Sequence, residues 1–340
     1  MEQKESVPRR PTHKLRVGFD KLTAVIHIAS DLHEQVERNL REIITTLASK
    51  HGLRGNQISS PKHGYQYNLT LPLSEELSHT DKRANLGKPK LFLQVKNRSE
   101  ARPFIRFELS GYPLYKGDYY IARRWLEIIL GTNSKDVIRG DNIKITRVDI
   151  AHDLSRHIDE LHVSFKRAMR SLVFYNKYGI PETLYFSVGG VAFKLCVYSL
   201  TARRKKFRQV DDDGFATRVE LRNRPNCMLS DFRQELNVKK YIDRIEIFDR
   251  ELSADPTFTK LVRAHMVLHG IKPTLQLLEP KERRKVRRLM DKYKIQPIDA
   301  KDVNTALKME FRKLQALLPE YQMPRLWQLS AEQELQAHLT

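Results

Sequence analysis

The chain has 340 residues, with 61 Lys and Arg against 41 Asp and Glu, a formal net charge of +20. A surplus of that size points to a polyanionic partner, nucleic acid first and an acidic membrane surface second. No apolar run approaches the ~18 residues that a membrane-crossing helix needs. The first ten residues carry no apolar signal region, so a soluble, cytosolic protein is expected.

In chain order, residues 1–16 are polar, carry Pro8 and Pro11, and read as a disordered basic arm. The β-branched run at 21–28 reads as a strand. Residues 32–51 place Val36, Leu40, Ile43, Ile44 and Leu47 at helical spacing, and Gly52 supplies a stop. Residues 65–71 alternate as a strand, 78–90 form a polar loop, and 91–95 and 104–109 are further strands. Residues 119–130 are helical, with Trp125, Ile128 and Ile129 on the apolar side.

The order then restarts. A strand is predicted at 143–150 and a helix at 158–172, the latter on Leu161, Val163 and Phe165. Strands at 183–188 and 192–200 flank the turn signal Gly189-Gly190. A turn at 211–214, a strand at 215–221 and a helix at 229–236 follow. Both halves thus read β-α-β-β-β-α, and both close on a similar phrase, Arg106-Phe107-Glu108-Leu109 and Arg218-Val219-Glu220-Leu221. This predicts a structural duplication, with halves at about 17–135 and 140–240. Helices are predicted at 258–269, 280–293 and 304–318. The expected class is α+β: antiparallel sheets with helices at 17–240, then a helical C-terminal region at 241–340.

Two strands carry the chemistry. One places Arg147 two residues before Asp149, the other Arg218 two residues before Glu220. Residues two apart in a strand share a face. Strict alternation adds Asp153 to the face of Arg147 and Asp149, and puts His152 on the opposite one. Tyr185 and Tyr198 lie between the two strands. Cys196 and Cys227 are too few for a four-ligand zinc site, and a disulfide is not expected in a reducing compartment. His265 and His269 have metal-ligand spacing but no third ligand nearby, and read as ordinary helix positions.

At these residues the chain resembles the replication initiators of filamentous phages and, more distantly, those of small rolling-circle plasmids. Residues 145–151 are similar to their Arg-x-Asp strand. Thr183-Leu184-Tyr185-Phe186, followed by Phe193 to Tyr198, is similar to the hairpin carrying the reactive tyrosine. Residues 217–222 are similar to the acidic strand that follows, so the resemblance spans roughly residues 90–240.

The resemblance implies a DNA nickase and strand transferase that initiates rolling-circle replication. A tyrosine oxygen attacks a backbone phosphorus, a 5′-phosphotyrosyl link forms, and a 3′-hydroxyl is freed. By spacing, Tyr198 is the first choice for nucleophile and Tyr185 the second. Arg147 and Arg218 are candidate phosphate clamps. Asp149 and Glu220, with Glu108 as the first-half counterpart, are candidate ligands for Mg²⁺ or Mn²⁺. Such an ion would offset the weak nucleophilicity of a phenol. No His-hydrophobic-His motif is present, so carboxylates would have to hold the metal.

The implied partners are origin DNA, single-stranded or supercoiled, and a host helicase and polymerase, since nothing here resembles a nucleotide-hydrolysing motor. Two basic runs are candidate DNA contacts: Arg203, Arg204, Lys205 and Lys206, and Arg283, Arg284, Lys285, Arg287 and Arg288. Arg123-Arg124 is a third run. Phosphate contacts of this kind position DNA without reading its sequence. A mobilisation relaxase, a non-catalytic DNA-binding protein derived from an initiator, and a basic RNA-binding protein remain open alternatives.

Overall fold

The computed structural model describes residues 15–51, 65–73, 89–97, 103–111, 113–188, 193–207, 214–236, 242–295 and 300–322. The expected arm up to residue 14, the loop at 78–88 and the turns at 189–190 and 211–213 lie outside these residues.

The first half follows the predicted order. Strand β1 (Leu15–His27) is followed by α1 (His33–His51), then β2 (Tyr65–Pro72), β3 (Lys90–Asn97), β4 (Phe104–Ser110) and α2 (Lys116–Leu130). Helix α1 buries Val36, Leu40 and Ile43, one apolar stripe at helical spacing. Helix α2 starts where the Asp118 carboxylate accepts the Tyr115 backbone N–H at 2.6 Å. Its C-terminal carbonyls at Ile128 and Ile129 are met by the Asn39 amide of α1. A short α3 (Ser134–Val137) then leads to the second half.

Strand β5 (Ile143–Leu154) opens that half. The helix expected at 158–172 is absent. The chain forms a single 3₁₀ turn, then β6 (Leu161–Phe165) and β7 (Arg170–Tyr175). The reason is period. Leu161, Val163 and Phe165 recur every two residues, so a strand buries Leu161 and Phe165 on one face where a helix would scatter them. Next come β8 (Pro181–Ser187), β9 (Phe193–Ser199), α4 (Leu200–Lys206), β10 (Thr217–Asn223), β11 (Cys227–Met228) and α5 (Phe232–Glu235).

The region after 240 is not wholly helical either. Strand β12 (Ile245–Asp249) pairs with β6 on one side and with β13 (Lys294–Ile295) on the other. A strand ladder therefore crosses the boundary expected near 240. Helices α6 (Lys260–His269), α7 (Ile271–Leu277) and α8 (Pro280–Tyr293) close a small core around Phe248, Leu252, Met266 and Val286. Helix α9 (Ala300–Leu314) returns to the main core, where Phe311 packs edge-on against Phe19 and Phe232.

The large sheet is antiparallel, in the order β2-β3-β4-β1-β5-β10-β9-β8-β7, with β11 beside β5. The protein is thus of the α+β class. The order reads outward in the same way from the central pair: β1-β4-β3-β2 on one side, β5-β10-β9-β8 on the other. The register obeys the same two-fold relation. Lys21 and Asp149 face each other at the centre. Arg106 and Glu108 lie opposite Gln94 and Phe92, as Arg218 and Glu220 lie opposite Tyr198 and Cys196. The duplication is therefore present in the sheet, although the helix expected after β5 is not.

One face of the sheet carries Phe19, Leu22, Ile150, Leu195, Val197, Val219 and Leu221, packed in the main core with α1 and α2. His152 also lies on this face, between Val17 and Val219 in register. It is fully buried, neither ring nitrogen has a hydrogen-bond partner, and burial lowers its pKa to about 4. His162 on β6 is lowered to about 4 for the same reason. Both rings are neutral when folded, whereas the unfolded chain protonates them below about pH 6.5. Stability is therefore expected to fall between pH 6.5 and 4, by roughly 3 kcal/mol per histidine at the acid end. Denaturant melts of wild type and His152→Leu at pH 7.5 and 5 check this; an unchanged slope in the variant would refute it.

Candidate functional site

The opposite face of the sheet carries the alternate residues of the same strands, many of them charged or phenolic. Three rows cross it. The first runs Arg16, Asp153, Arg218, Tyr198 and Thr183 over β1, β5, β10, β9 and β8. The second runs Ala151, Glu220, Cys196, Tyr185 and Leu172 over β5, β10, β9, β8 and β7. The third contains Lys21, Asp149 and Arg222. Alternation thus brings together the residues singled out in the sequence, with Asp153 on the expected face and His152 on the other.

The first row is a buried ionic network. Arg218 donates from Nε and Nη2 to Asp153, at 2.6 and 3.0 Å, and from Nη1 to Asp20 at 2.6 Å. Arg16 also donates to Asp153. Asp20 reaches Arg218 because the β1–β5 register shifts between Phe19 and Lys21, and such a bulge re-aims a side chain. Burial pushes Asp153 up, but Arg218 and Arg16 more than offset it and hold the carboxyl below its usual range. Arg218 is therefore a structural cation and not the free phosphate clamp expected from sequence.

Tyr198 belongs to this row and is buried. Its Oη accepts from Arg203 Nη1 at 2.5 Å, and the Arg203 guanidinium lies 5.1 Å from the ring centroid. Burial raises the phenol above its ordinary pKa.

The second row is more open. Tyr185 is half-buried and meets Phe174 edge-on, with centroids 5.9 Å apart. The Arg222 guanidinium sits 5.7 Å from the Tyr185 ring centroid, and Arg222 Nε donates to Glu220 Oε1 at 2.6 Å. Burial and the Cys196 thiol raise the Tyr185 phenol, and Arg222 opposes them. The Cys196 thiol is pushed up to about 12 by burial, so it stays protonated. In the third row, Arg147 holds Asp149 with two parallel bonds of 2.8 and 2.5 Å. Burial nevertheless keeps Asp149 above the usual carboxylate range. Arg147 and Arg222 are each about 30 % exposed, at 31 % and 30 %, so both cations reach the surface of this face.

The first half repeats the geometry without the phenols. Where β8 and β9 carry Tyr185 and Tyr198, β2 and β3 carry Thr70 and Gln94. Gln94 donates to Asn68 at 2.8 Å and accepts from Arg106. Glu108 is paired with Lys21 at 2.7 Å and also meets Arg106 and Thr23. Burial raises Glu108, and these partners, Lys21 foremost, bring it below its ordinary value.

The three carboxylates expected to hold Mg²⁺ or Mn²⁺ each already carry a cation: Asp149 has Arg147, Glu220 has Arg222 and Glu108 has Lys21. Among the described residues, no three His, Cys, Asp or Glu side chains group as a metal site would require. This donor set does not fit a divalent ion, because each carboxylate already gives an oxygen to a guanidinium or ammonium cation.

Sequence reasoning missed Arg222, Asp20 and Arg16 as members of the face. Arg222 was legible, since it continues the alternation of Arg218 and Glu220. Asp20 and Arg16 depend on the bulge and on pairing across the fold, which leave no local signal.

The basic runs divide. In α4, Arg204 is buried and donates to the Phe215 carbonyl at 2.9 Å, while Lys205 and Lys206 are exposed and Arg203 tethers Tyr198. In α8, Arg284, Lys285, Arg287 and Arg288 are exposed, and the half-buried Arg283 donates to the Leu278 carbonyl. Arg123 is buried against the Leu318 and Tyr321 carbonyls, so the 123–124 run is structural on that side.

The fold and face thus define an antiparallel α+β protein with a charged, tyrosine-bearing sheet surface. No protein-family model matches the chain, and no curated protein matches it. Among solved structures it is similar to a rolling circle replication initiator protein from Geobacillus stearothermophilus. The two are 17% identical with a TM-score of 0.31, over 62% of this chain and 75% of that one.

Proposed function

We propose that the charged sheet face nicks and rejoins one DNA strand to initiate rolling-circle replication, with Tyr185 as nucleophile. The Tyr185 oxygen attacks a backbone phosphorus. The bond from phosphorus to the 3′-oxygen breaks, a 5′-phosphotyrosyl link forms, and the phenol proton ends on the freed 3′-hydroxyl. Arg222 and Arg147 are the cations positioned to meet charge that develops on the phosphoryl oxygens. A host helicase and polymerase would extend the freed end.

The observation that carries this reading is the convergence of Tyr185, Arg222, Glu220, Arg147 and Asp149 on one partly open face of a strongly basic chain. Accessibility favours Tyr185 over Tyr198, whose oxygen lies under Arg203. A second reading, a DNA-binding protein without catalysis, draws support from the cation already paired with each candidate carboxylate.

Incubation with a supercoiled replicon carrying the chain's own gene tests the two, with and without Mg²⁺ or Mn²⁺. Nicked circles and protein linked to a DNA 5′ end are expected. Salt-sensitive binding with neither product would sink the nickase reading and leave the second.

A further inference from the structure

We infer that the β7–β8 hairpin is a stacking platform for unpaired DNA bases, which holds the strand beside Tyr185; this rests on the nickase reading of the adjoining face. Strand β7 ends the large sheet, so among the described residues one of its edges has no strand partner. On it, Leu172 and Phe174 lie opposite Tyr185 and Thr183, and directly opposed residues share a face. Leu172 and Phe174 are 55% and 51% exposed, and Tyr178 at the hairpin tip is 74% exposed. Strand neighbours are ~4.8 Å apart, so this apolar strip begins one strand from the proposed nucleophile.

The tip is held in shape. Asn176 Oδ1 accepts the backbone N–H groups of Tyr178 and Ile180 at 2.9 and 3.0 Å, and Gly179 takes the positive φ of 73° that the turn needs. A platform held in this way binds without first ordering itself.

Charge selects the occupant. The hairpin, residues 170–187, carries Arg170 and Lys177 against one carboxylate, Glu182. Arg170 and Lys177 are exposed on the hairpin, and the Lys177 ammonium sits 4.9 Å from the Tyr178 ring centroid. A second copy paired edge to edge would set these cations against their own kind, in chains of net charge +20. Exposed aromatic rings among cations suit a single strand, whose bases stack while its phosphates meet the charges. A duplex hides its base faces and offers nothing to stack.

Fluorescence anisotropy with a mixed-sequence oligonucleotide of about 12 nucleotides, single-stranded or as a duplex, tests this. The variants are Phe174→Ser with Tyr178→Ser, Phe174→Trp, and Tyr185→Phe. The double variant is expected to lose about tenfold or more in single-strand affinity and to change little on the duplex, while still showing a cooperative melt. Phe174→Trp is expected to bind as wild type, because its ring still stacks. Tyr185→Phe is expected to bind the single strand normally, which separates binding from cleavage. Single-strand affinity unchanged in the double variant overturns the inference, whether or not wild type nicks DNA. A wild-type dimer that the double variant dissociates, with single-strand binding intact, would reassign the hairpin to self-association. Hairpin-dependent single-strand binding without nicking would uphold the platform and remove the nickase reading alone.

Discussion

Tyr185→Phe is expected to abolish strand cleavage and the covalent adduct, a loss on the order of 10⁴-fold or more, the scale found when a covalent nucleophile is removed. The fold should be untouched, because the Tyr185 ring keeps its edge-on contact with Phe174 and its place beside Arg222. Tyr198→Phe is expected to do the reverse. It removes an oxygen that accepts from Arg203 in a buried setting, at a cost of about 1–2 kcal/mol in stability. Cleavage should survive in that variant. A denaturing gel for the DNA-linked protein and a denaturant melt, run on both variants, decide the matter. Loss of the adduct in Tyr198→Phe alone would move the nucleophile to β9, and would require Arg203 to swing away before reaction.

The second large effect is expected at Asp153. Asp153→Asn removes the carboxylate that Arg16 and the buried Arg218 both meet. Breaking one side of a buried ion pair typically costs about 3–5 kcal/mol, far more than an exposed pair is worth. The Asp153 carboxyl is held below its usual range when folded. Its contribution is therefore complete above the unfolded carboxylate pKa of about 4, and is lost as pH falls through the depressed folded value. The destabilisation of Asp153→Asn, measured by denaturant melts, should accordingly shrink in acid. A change below about 1 kcal/mol at neutral pH would show that the network is incidental to the fold.

Much of the site was legible in the strands. Arg147 with Asp149, and Arg218 with Glu220, share a face because backbone alternation requires it. The same rule set Asp153 and His152 on opposite sides. The similar phrases at residues 106–109 and 218–221 marked a duplication, and the register of the two half-sheets repeats it pair by pair. The helix expected at 158–172 failed where the period of two at Leu161, Val163 and Phe165 outranked the helical reading. Strand β6 found its partner in β12, some 80 residues along the chain.

By itself, then, the sequence determined the local periods, the sign of the charge, and which side chains stand on the phenolic face of each strand. These follow from backbone geometry over a few residues. Only the tertiary structure decided which of those groups are engaged. Arg218 is joined to Asp153 across 65 positions and to Asp20 across 198. Those contacts turn an expected phosphate clamp into a buried strut, as Arg203 and burial turn the first-choice tyrosine into a covered one. Ion pairing and burial depend on distance through space, which the period of a strand does not encode. The same distinction leaves Tyr185, half-buried beside Arg222, as the phenol on which the proposed reaction is placed.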